Sequence, residues 1–490
     1  MSGAATLTLR QRAVRGAAWT LPTSIGSRAI GLLGTLVLAR YLTPNEYGVV
    51  MTASIVATTA SSVTTFGIGI YLVANAEISR SETFHATSWF LATGIVALIA
   101  TMLLGGSLAE WASAPGLAGF LPLFLLAMFL ERIVYVPERI LVRNLRFGWL
   151  SLARAAGEVI YSGVSVIVAA HGAGAMAVVW GSLARSAFRF AAVVPAVDIR
   201  DWLEPHGLRL GILRRVVGYG MSVTTASIAT FGMRRWDNLL ISRFFGPALM
   251  GAYNYAYNLA DTPGTAIGEQ MSDVIAASFP HVDQRRRGQA LVHACTIVSL
   301  VMLPLSIGLA TVAPTIVEAF FDPKWSNVGA MLTALAALSI ARPLGSILAA
   351  YFYASQRSSV VLALEWASLV GVILVISTVG RLGINVACVW ISVVFVLRTL
   401  AGMWMAARND GVPLSAFLEP MIGPLGACLA MAAGVSAARF ALSELRPLIR
   451  LFVEIGLGAA IYVAGILLFA RAHCSELVRA ARSALVSCES

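Results

Sequence analysis

The sequence predicts an all-α polytopic membrane protein with about fourteen transmembrane helices, arranged as two parallel-repeat six-helix bundles plus two C-terminal helices. Three observations carry that prediction. Apolar residues make up 58% of the chain and charged residues only 12%, about half the roughly 25% charge of a soluble domain. Lipid must therefore be its solvent. Apolar stretches of roughly twenty residues, the length that crosses a bilayer, recur along the whole chain. The loops between them are Arg-rich on every second turn, the asymmetry that orients membrane helices.

The stretches lie near 17–40, 48–74, 86–107, 117–137, 150–170, 174–196, 217–245, 249–278, 290–314, 328–354, 358–379, 383–407, 420–440 and 448–470. One side of the membrane receives Arg10, Arg12 and Arg15, then Arg80, then Arg139, Arg143 and Arg146. It continues with Arg200, Arg209, Arg214 and Arg215, the run Arg285, Arg286 and Arg287, then Arg357, Arg408, Arg471, Arg479 and Arg482. The other side holds Lys324, Arg381, Arg446 and Arg450, with Arg40 and Arg243 at helix ends. This count predicts a multi-pass protein of the bacterial inner membrane with both termini in the cytoplasm, and it favours an even number of helices.

The net charge of +11 belongs to those loops. It reads as orientation and contact with anionic lipid rather than as a nucleic-acid surface. Lys324 is the single lysine among 35 basic residues, a bias that points to a GC-rich bacterial genome. Cys295, Cys388, Cys428, Cys474 and Cys488 match no zinc, redox or haem spacing, and most read as small packing residues. The stretch after the polar, basic segment Met1 to Gly16 is too long for a signal-peptide core and reads as a retained first helix. Gly67/Gly69 and Gly172/Gly174 lack the strand-to-helix context of a phosphate loop.

An internal repeat sets the predicted domain boundaries. Arg40, Pro44 and Gly48 recur as Arg243, Pro247 and Gly251 at a constant offset of 203, and Arg12 and Arg215 keep the same offset. Six helices separate the copies, so they point the same way and imply two parallel halves. The expected organisation is a six-helix bundle over 1–196, a cytoplasmic linker over 197–216, a second six-helix bundle over 217–407, two additional helices over 408–470 and a cytoplasmic tail over 471–490. The linker carries Asp198 beside Arg200, and Asp201 with Arg209. The outer loops are short, and the longest, Pro314 to Val328, is too small for a catalytic domain.

The segment from Leu38 through Arg40, Pro44 and Glu46 to Gly48 resembles the N-terminal signature of bacterial polysaccharide transporters. So do Trp236-Asp237-Asn238 through Arg243 to Gly246, and Gly251 through Tyr253 to Leu259 and Pro263. The chain is similar to the Wzx-type flippases of the polysaccharide transport family, in the multidrug/oligosaccharidyl-lipid/polysaccharide exporter superfamily. The resemblance implies two six-helix bundles in a V around a central cavity. It also implies a polyprenyl-pyrophosphate-linked oligosaccharide as cargo, moved to the outer leaflet for O-antigen, capsule or exopolysaccharide. The implied partners are that lipid-linked sugar, the bilayer, and the polysaccharide polymerase and chain-length regulator.

Such a headgroup needs a polar, cationic cavity. Arginine suits it, because a guanidinium donates two parallel hydrogen bonds to phosphate and stays charged when desolvated. Arg28, Arg185, Arg189, Arg234 and Arg342 lie inside apolar stretches and are the candidates. Arg185 and Arg189 are four residues apart and share a helical face. Asn254, Asn258 and Asp261 form one polar stripe flanked by Tyr257, suited to sugar hydroxyls and rings. Asp237, Asp261 and Glu269 are the candidates for coupling to H⁺ or Na⁺; no other cofactor and no metal is expected. Asp237 also stands three residues from Arg234, close enough to pair on one face. A plainer role stands beside each: structural ion pairs, interhelical hydrogen bonds, or arginines snorkelling to the interface.

The expectation is a transporter and not an enzyme. A polymerase or ligase generally uses a sizeable outer loop with catalytic residues, which these short loops do not provide. A small-cation or drug exporter of the same superfamily would favour an acidic, aromatic cavity, against the excess of arginine here.

Overall fold

A chain in hydrocarbon must satisfy its backbone hydrogen bonds within each segment, which leaves helices as the economical solution for these apolar stretches. The computed structural model describes residues 26–74, 78–207, 209–279 and 286–469, and every regular element among them is helical. Helix α1 covers 26–41, followed by α2 (Pro44–Val63), α3 (Ile68–Ala74), α4 (Arg80–Leu103), α5 (Gly105–Trp111), α6 (Leu117–Arg143), α7 (Phe147–Ala170) and α8 (Met176–Val193). The short α9 (Arg200–Leu203) precedes α10 (Leu210–Phe245) and α11 (Pro247–Ser278). Then come α12 (Arg287–Phe320), α13 (Asn327–Leu335), α14 (Leu338–Ala354), α15 (Ser358–Thr378), α16 (Ile384–Asp410), α17 (Ser415–Ala441) and α18 (Pro447–Phe469).

Among the described residues, ten segments are long and apolar enough to cross a membrane. They match the predicted third to sixth and ninth to fourteenth spans, with α13 and α14 together making the tenth. The predicted first, seventh and eighth spans are helical over their described residues and the second is helical in two pieces, but all four fall outside those ten. Helices α10 and α11 have 36 and 32 residues, about 50 Å at 1.5 Å per residue. Their apolar runs are interrupted by Arg234, Asp237, Asn254, Asn258 and Asp261. The second span is not one helix. Phe66 and Gly67 both take positive φ, 46° and 59°, which separates α2 from α3.

The chain divides into two compact units, Met1–Gly251 and Ala252–Ser490, and α10 counts with the first. The core of the first unit is built from α3, α4, α6 and the segment after α8, with Leu72, Phe90, Val134 and Ile140 buried together. Trp202 of α9 is buried in the same cluster and ties the linker to it. Asp201, expected with Arg209, pairs instead with Arg80 at 3.2 Å, and Glu204 meets the same guanidinium at 3.5 Å.

The repeated motif sets up the turns at the other end of this unit. Thr43, Pro44 and Glu46 start α2 with a capping box: the Thr43 amide donates to the Glu46 carboxylate at 2.9 Å, and the Glu46 amide donates to Thr43 Oγ1 at 3.2 Å. Gly246 turns the chain at φ 83° before Pro247 opens α11. The two copies then pack on each other. A Cβ on Gly48 would stand 1.7 Å from the Pro247 carbonyl oxygen, and a Cβ on Gly251 would stand 2.3 Å from that of Pro44. Each proline turn sits on the other copy's glycine.

In the second unit the core joins α12, α14 and α16 through Met302, Ile347, Phe352 and Met403. Helix α14 lies against α11 because Gly264 and Gly268 leave room for Ser339 and Pro343. Helices α17 and α18 pack on α12 through Val312, Met431 and Leu451. Large apolar side chains such as Ile422, Phe440 and Phe452 point outward, as a lipid-facing surface requires. Cys295, Cys388 and Cys428 are buried.

Candidate functional site

In the first unit, four helices bring ionised side chains to one cavity. Helix α6 carries Glu131 and Glu138 seven residues apart, two turns along one face. Helix α7 carries Arg154 and Glu158, and α8 carries Arg185 and Arg189, each pair four apart. Helix α1 closes the group with Ser27, Arg28 and Gly31. It approaches α7 closely because Gly34 has no side chain: a Cβ there would stand 2.6 Å from Ser162 Oγ. The resulting cavity, about 410 Å³, is lined by Ser27, Arg28, Gly31, Glu138, Arg154, Glu158 and Arg189.

The charges are knitted together. Arg189 pairs with Glu131 and, at 2.5 Å, with Glu138. Arg154 pairs with the other oxygen of Glu138. Arg185 pairs with Glu158 at 3.2 Å and lies 5.1 Å from the Tyr161 ring centroid. Ser186 Oγ donates to Glu131 at 3.1 Å. Among the described residues, the cluster brings Arg28, Arg154, Arg185 and Arg189 together with Glu131, Glu138 and Glu158. Glu138 sits near the C-terminus of α6, Arg154 near the start of α7 and Arg189 near the end of α8. The cavity therefore lies toward the end of the bundle that the arginine count assigns to the cytoplasm.

The second unit holds a different polar cluster. Arg342 of α14, 6% exposed, pairs with Asp261 at 3.0 Å and donates to the Tyr257 hydroxyl. Its guanidinium also lies over the Phe395 ring at 4.9 Å. Asn258 Nδ2 donates to Asn254 Oδ1 at 2.9 Å, which links two members of the α11 stripe. An apolar cavity of about 400 Å³ runs among α11, α12, α17 and α18, with Pro304, Leu309, Met431 and Val463 in its wall. Glu365 and Arg398 form a further buried ion pair between α15 and α16.

The sequence candidates are thus distributed over several places. Arg28, Arg185 and Arg189 share the first-unit cluster, and Arg342 joins Tyr257, Asn254, Asn258 and Asp261 in the second. Asp237 is buried in α10 and accepts from the amide and side chain of Asn238, both at 2.8 Å. Arg234 is half-buried on the same helix. The Glu269 side chain lies outside the described residues.

A family model described as polysaccharide biosynthesis protein matches residues 37–330. The chain belongs to the polysaccharide biosynthesis protein family. The match contains both repeat motifs and all of the cavity except its α1 wall. The succinoglycan biosynthesis transport protein ExoT of Rhizobium meliloti (strain 1021) is 24% identical, covering 96% of this chain and 95% of its own length. The lipopolysaccharide biosynthesis protein WzxC of Escherichia coli (strain K12) is 23% identical, covering 70% and 71%. The fold is shared with the lipid II flippase MurJ in an inward closed conformation, at a TM-score of 0.75 and 14% identity over 92% of this chain and 98% of that one.

Sequence reasoning missed three members of the family protein's cavity cluster: Glu131, Glu138 and Arg154. The predicted fourth span stopped at 137, which placed Glu138 in a loop, whereas α6 continues to Arg143. The usable signal was the seven-residue spacing of the two glutamates. Arg132 was also missed, although it lies inside the predicted 117–137 span. It is buried, and its guanidinium donates to the carbonyl oxygens of Phe90, Ser61 and Thr64.

Proposed function

We propose that this protein is a flippase that moves a polyprenyl-pyrophosphate-linked oligosaccharide repeat from the cytoplasmic to the periplasmic leaflet of a bacterial inner membrane, for export of a surface or secreted polysaccharide. The observation that carries this reading is the first-unit cavity, where four arginines converge among membrane-spanning helices of a polysaccharide family protein. Unaided transfer of a doubly charged pyrophosphate through hydrocarbon is prohibitive. A cluster of guanidiniums replaces its hydration with charge-assisted hydrogen bonds. A small-cation exporter would need the opposite sign.

The second unit supports the same reading. Its apolar cavity beside α17 and α18 suits an isoprenoid chain. Both termini lie in the cytoplasm, movement is driven by a H⁺ or Na⁺ gradient, the protein makes no covalent change to its cargo, and it works beside the polymerase and chain-length regulator.

The test is a deletion strain of the source bacterium, scored for exported polymer and for lipid-linked repeats resolved by leaflet. Loss of polymer with finished repeats on the cytoplasmic leaflet is the expected result. Complementation with Arg28→Ala or Arg154→Ala, at equal membrane level, is expected to restore no more than about a tenth of export, since a lost charge-assisted contact is worth roughly 1.5–3 kcal/mol. Wild-type export from both variants would remove the cavity assignment. Repeats on the periplasmic leaflet without polymer would point to polymerisation instead.

A further inference from the structure

Helix α6 has a second polar face, away from Glu131 and Glu138. Tyr135, Arg139 and Arg143 follow one another at intervals of four and share it, up to the last residue of the helix. Packing holds this face in place. Arg132 lies over the Phe90 ring at 4.1 Å, Phe90 stacks on Tyr135 at 4.9 Å, and Arg139 lies over Tyr135 at 4.9 Å. Gly69 of α3 makes room for this ladder. A Cβ there would stand 2.2 Å from the Tyr135 hydroxyl oxygen and 3.2 Å from Arg139 Cδ. A ring beneath a guanidinium fixes its plane and leaves its N–H edge for an acceptor.

Among the described residues, Arg139 Nε and Arg143 Nη1 are buried without an acceptor. Other arginines toward this end are answered: Arg80 by Asp201, Arg146 by the Ala196 carbonyl, and Arg215 by Glu82. The Arg139 charge acts on Glu138, but both oxygens of that carboxylate are held by Arg154 and Arg189. Arginines that only snorkel to an interface end in water, whereas these two are half-buried and a covered N–H without an acceptor is costly. Helix α6 has 27 residues, about 40 Å, so its last turn stands at the depth of lipid headgroups. Two guanidiniums about 6 Å apart along the axis can grip one tetrahedral anion through bonds of about 2.8 Å. Resting on the flippase reading above for the side of the membrane, we infer that Arg139 and Arg143 form a lipid-phosphate site in the cytoplasmic headgroup layer. The phosphate belongs either to the arriving cargo or to a phospholipid of that leaflet, and the chemistry of recognition is the same.

The experiment is photolabelling of the full-length protein in maltoside micelles, which bring no phosphate of their own. Three probes carry a diazirine beside the headgroup: a short-chain prenyl pyrophosphate sugar diester, a phosphatidylglycerol and an uncharged diacylglycerol. A phosphate probe is expected to label α3 and the end of α6 well above the diacylglycerol. Joint Arg139→Gln and Arg143→Gln substitution is expected to lower that labelling about tenfold or more, the loss of charge-assisted bonds. Should that variant fail to fold, Arg139→Lys with Arg143→Lys carries the test, with a several-fold loss expected because an ammonium neither forks nor stacks as a guanidinium does. Labelling by the pyrophosphate probe supports the site with the cargo as occupant. Labelling by phosphatidylglycerol alone supports it with a phospholipid as occupant. Equal labelling by diacylglycerol, or labelling unchanged in the variants, would overturn the site. The flippase reading would then still stand, since the deletion strain tests it separately.

Discussion

Arg132 shows at the scale of one residue what a buried charge costs and how it is accommodated. It is 1% exposed. Its partners are the carbonyl oxygens of Ser61 and Thr64 at the frayed end of α2, the Phe90 carbonyl of α4, and the Phe90 ring at 4.1 Å. Helix ends leave carbonyls without intrahelical donors, and one planar guanidinium serves two such groups and a neighbouring helix at once. Gly94 makes room, since a Cβ there would stand 1.4 Å from Arg132 Nε. Arg132→Met is expected to destabilise the protein by about 3 kcal/mol, read as a lowered melting temperature in detergent. Arg132→Lys is expected to recover less than half, because a single ammonium cannot span these carbonyls. The presence of this arginine in an apolar stretch was legible in the sequence. Its partners were not, because they are backbone atoms from helices remote in the chain.

At the scale of elements, the Pro44–Gly48 and Pro247–Gly251 turns form the clearest device. Their equivalence was legible as a repeat with constant offset. Their mutual contact was not, since a repeat shows that two segments are alike and says nothing of whether they touch. Gly48→Ala drives a methyl group against the Pro247 carbonyl, and Gly251→Ala does the same against that of Pro44. Each is expected to cost up to about 3 kcal/mol by overpacking. The double variant is expected to cost clearly less than the sum, because either change opens the same contact. Melting temperatures of the four proteins measure this, and full additivity would show the two contacts to be independent. The break between α2 and α3 shows the converse limit. Both halves are apolar, so hydropathy joined them, and the separation rests on two positive-φ residues and the cap supplied by Arg132.

At the scale of the whole molecule, the uneven distribution of arginine predicts a direction for every helix. In a variant lacking the native cysteines, Ser326→Cys, exposed between α12 and α13, is expected to react with a membrane-impermeant maleimide in intact spheroplasts. Ser358→Cys, exposed at the start of α15, is expected to react only after permeabilisation. The reverse pattern would invert the topology. Helix class, approximate spans and the repeat were determined by the sequence itself, because lipid imposes a length and a composition on each segment independently of its neighbours. The tertiary structure decided which charges meet. Glu138 reaches Arg154 and Arg189 from three different helices, and Arg342 reaches Asp261 from two. Those encounters depend on helix rotation and close approach, set by small residues such as Gly34, Gly264 and Gly268, and no local pattern along the chain encodes them.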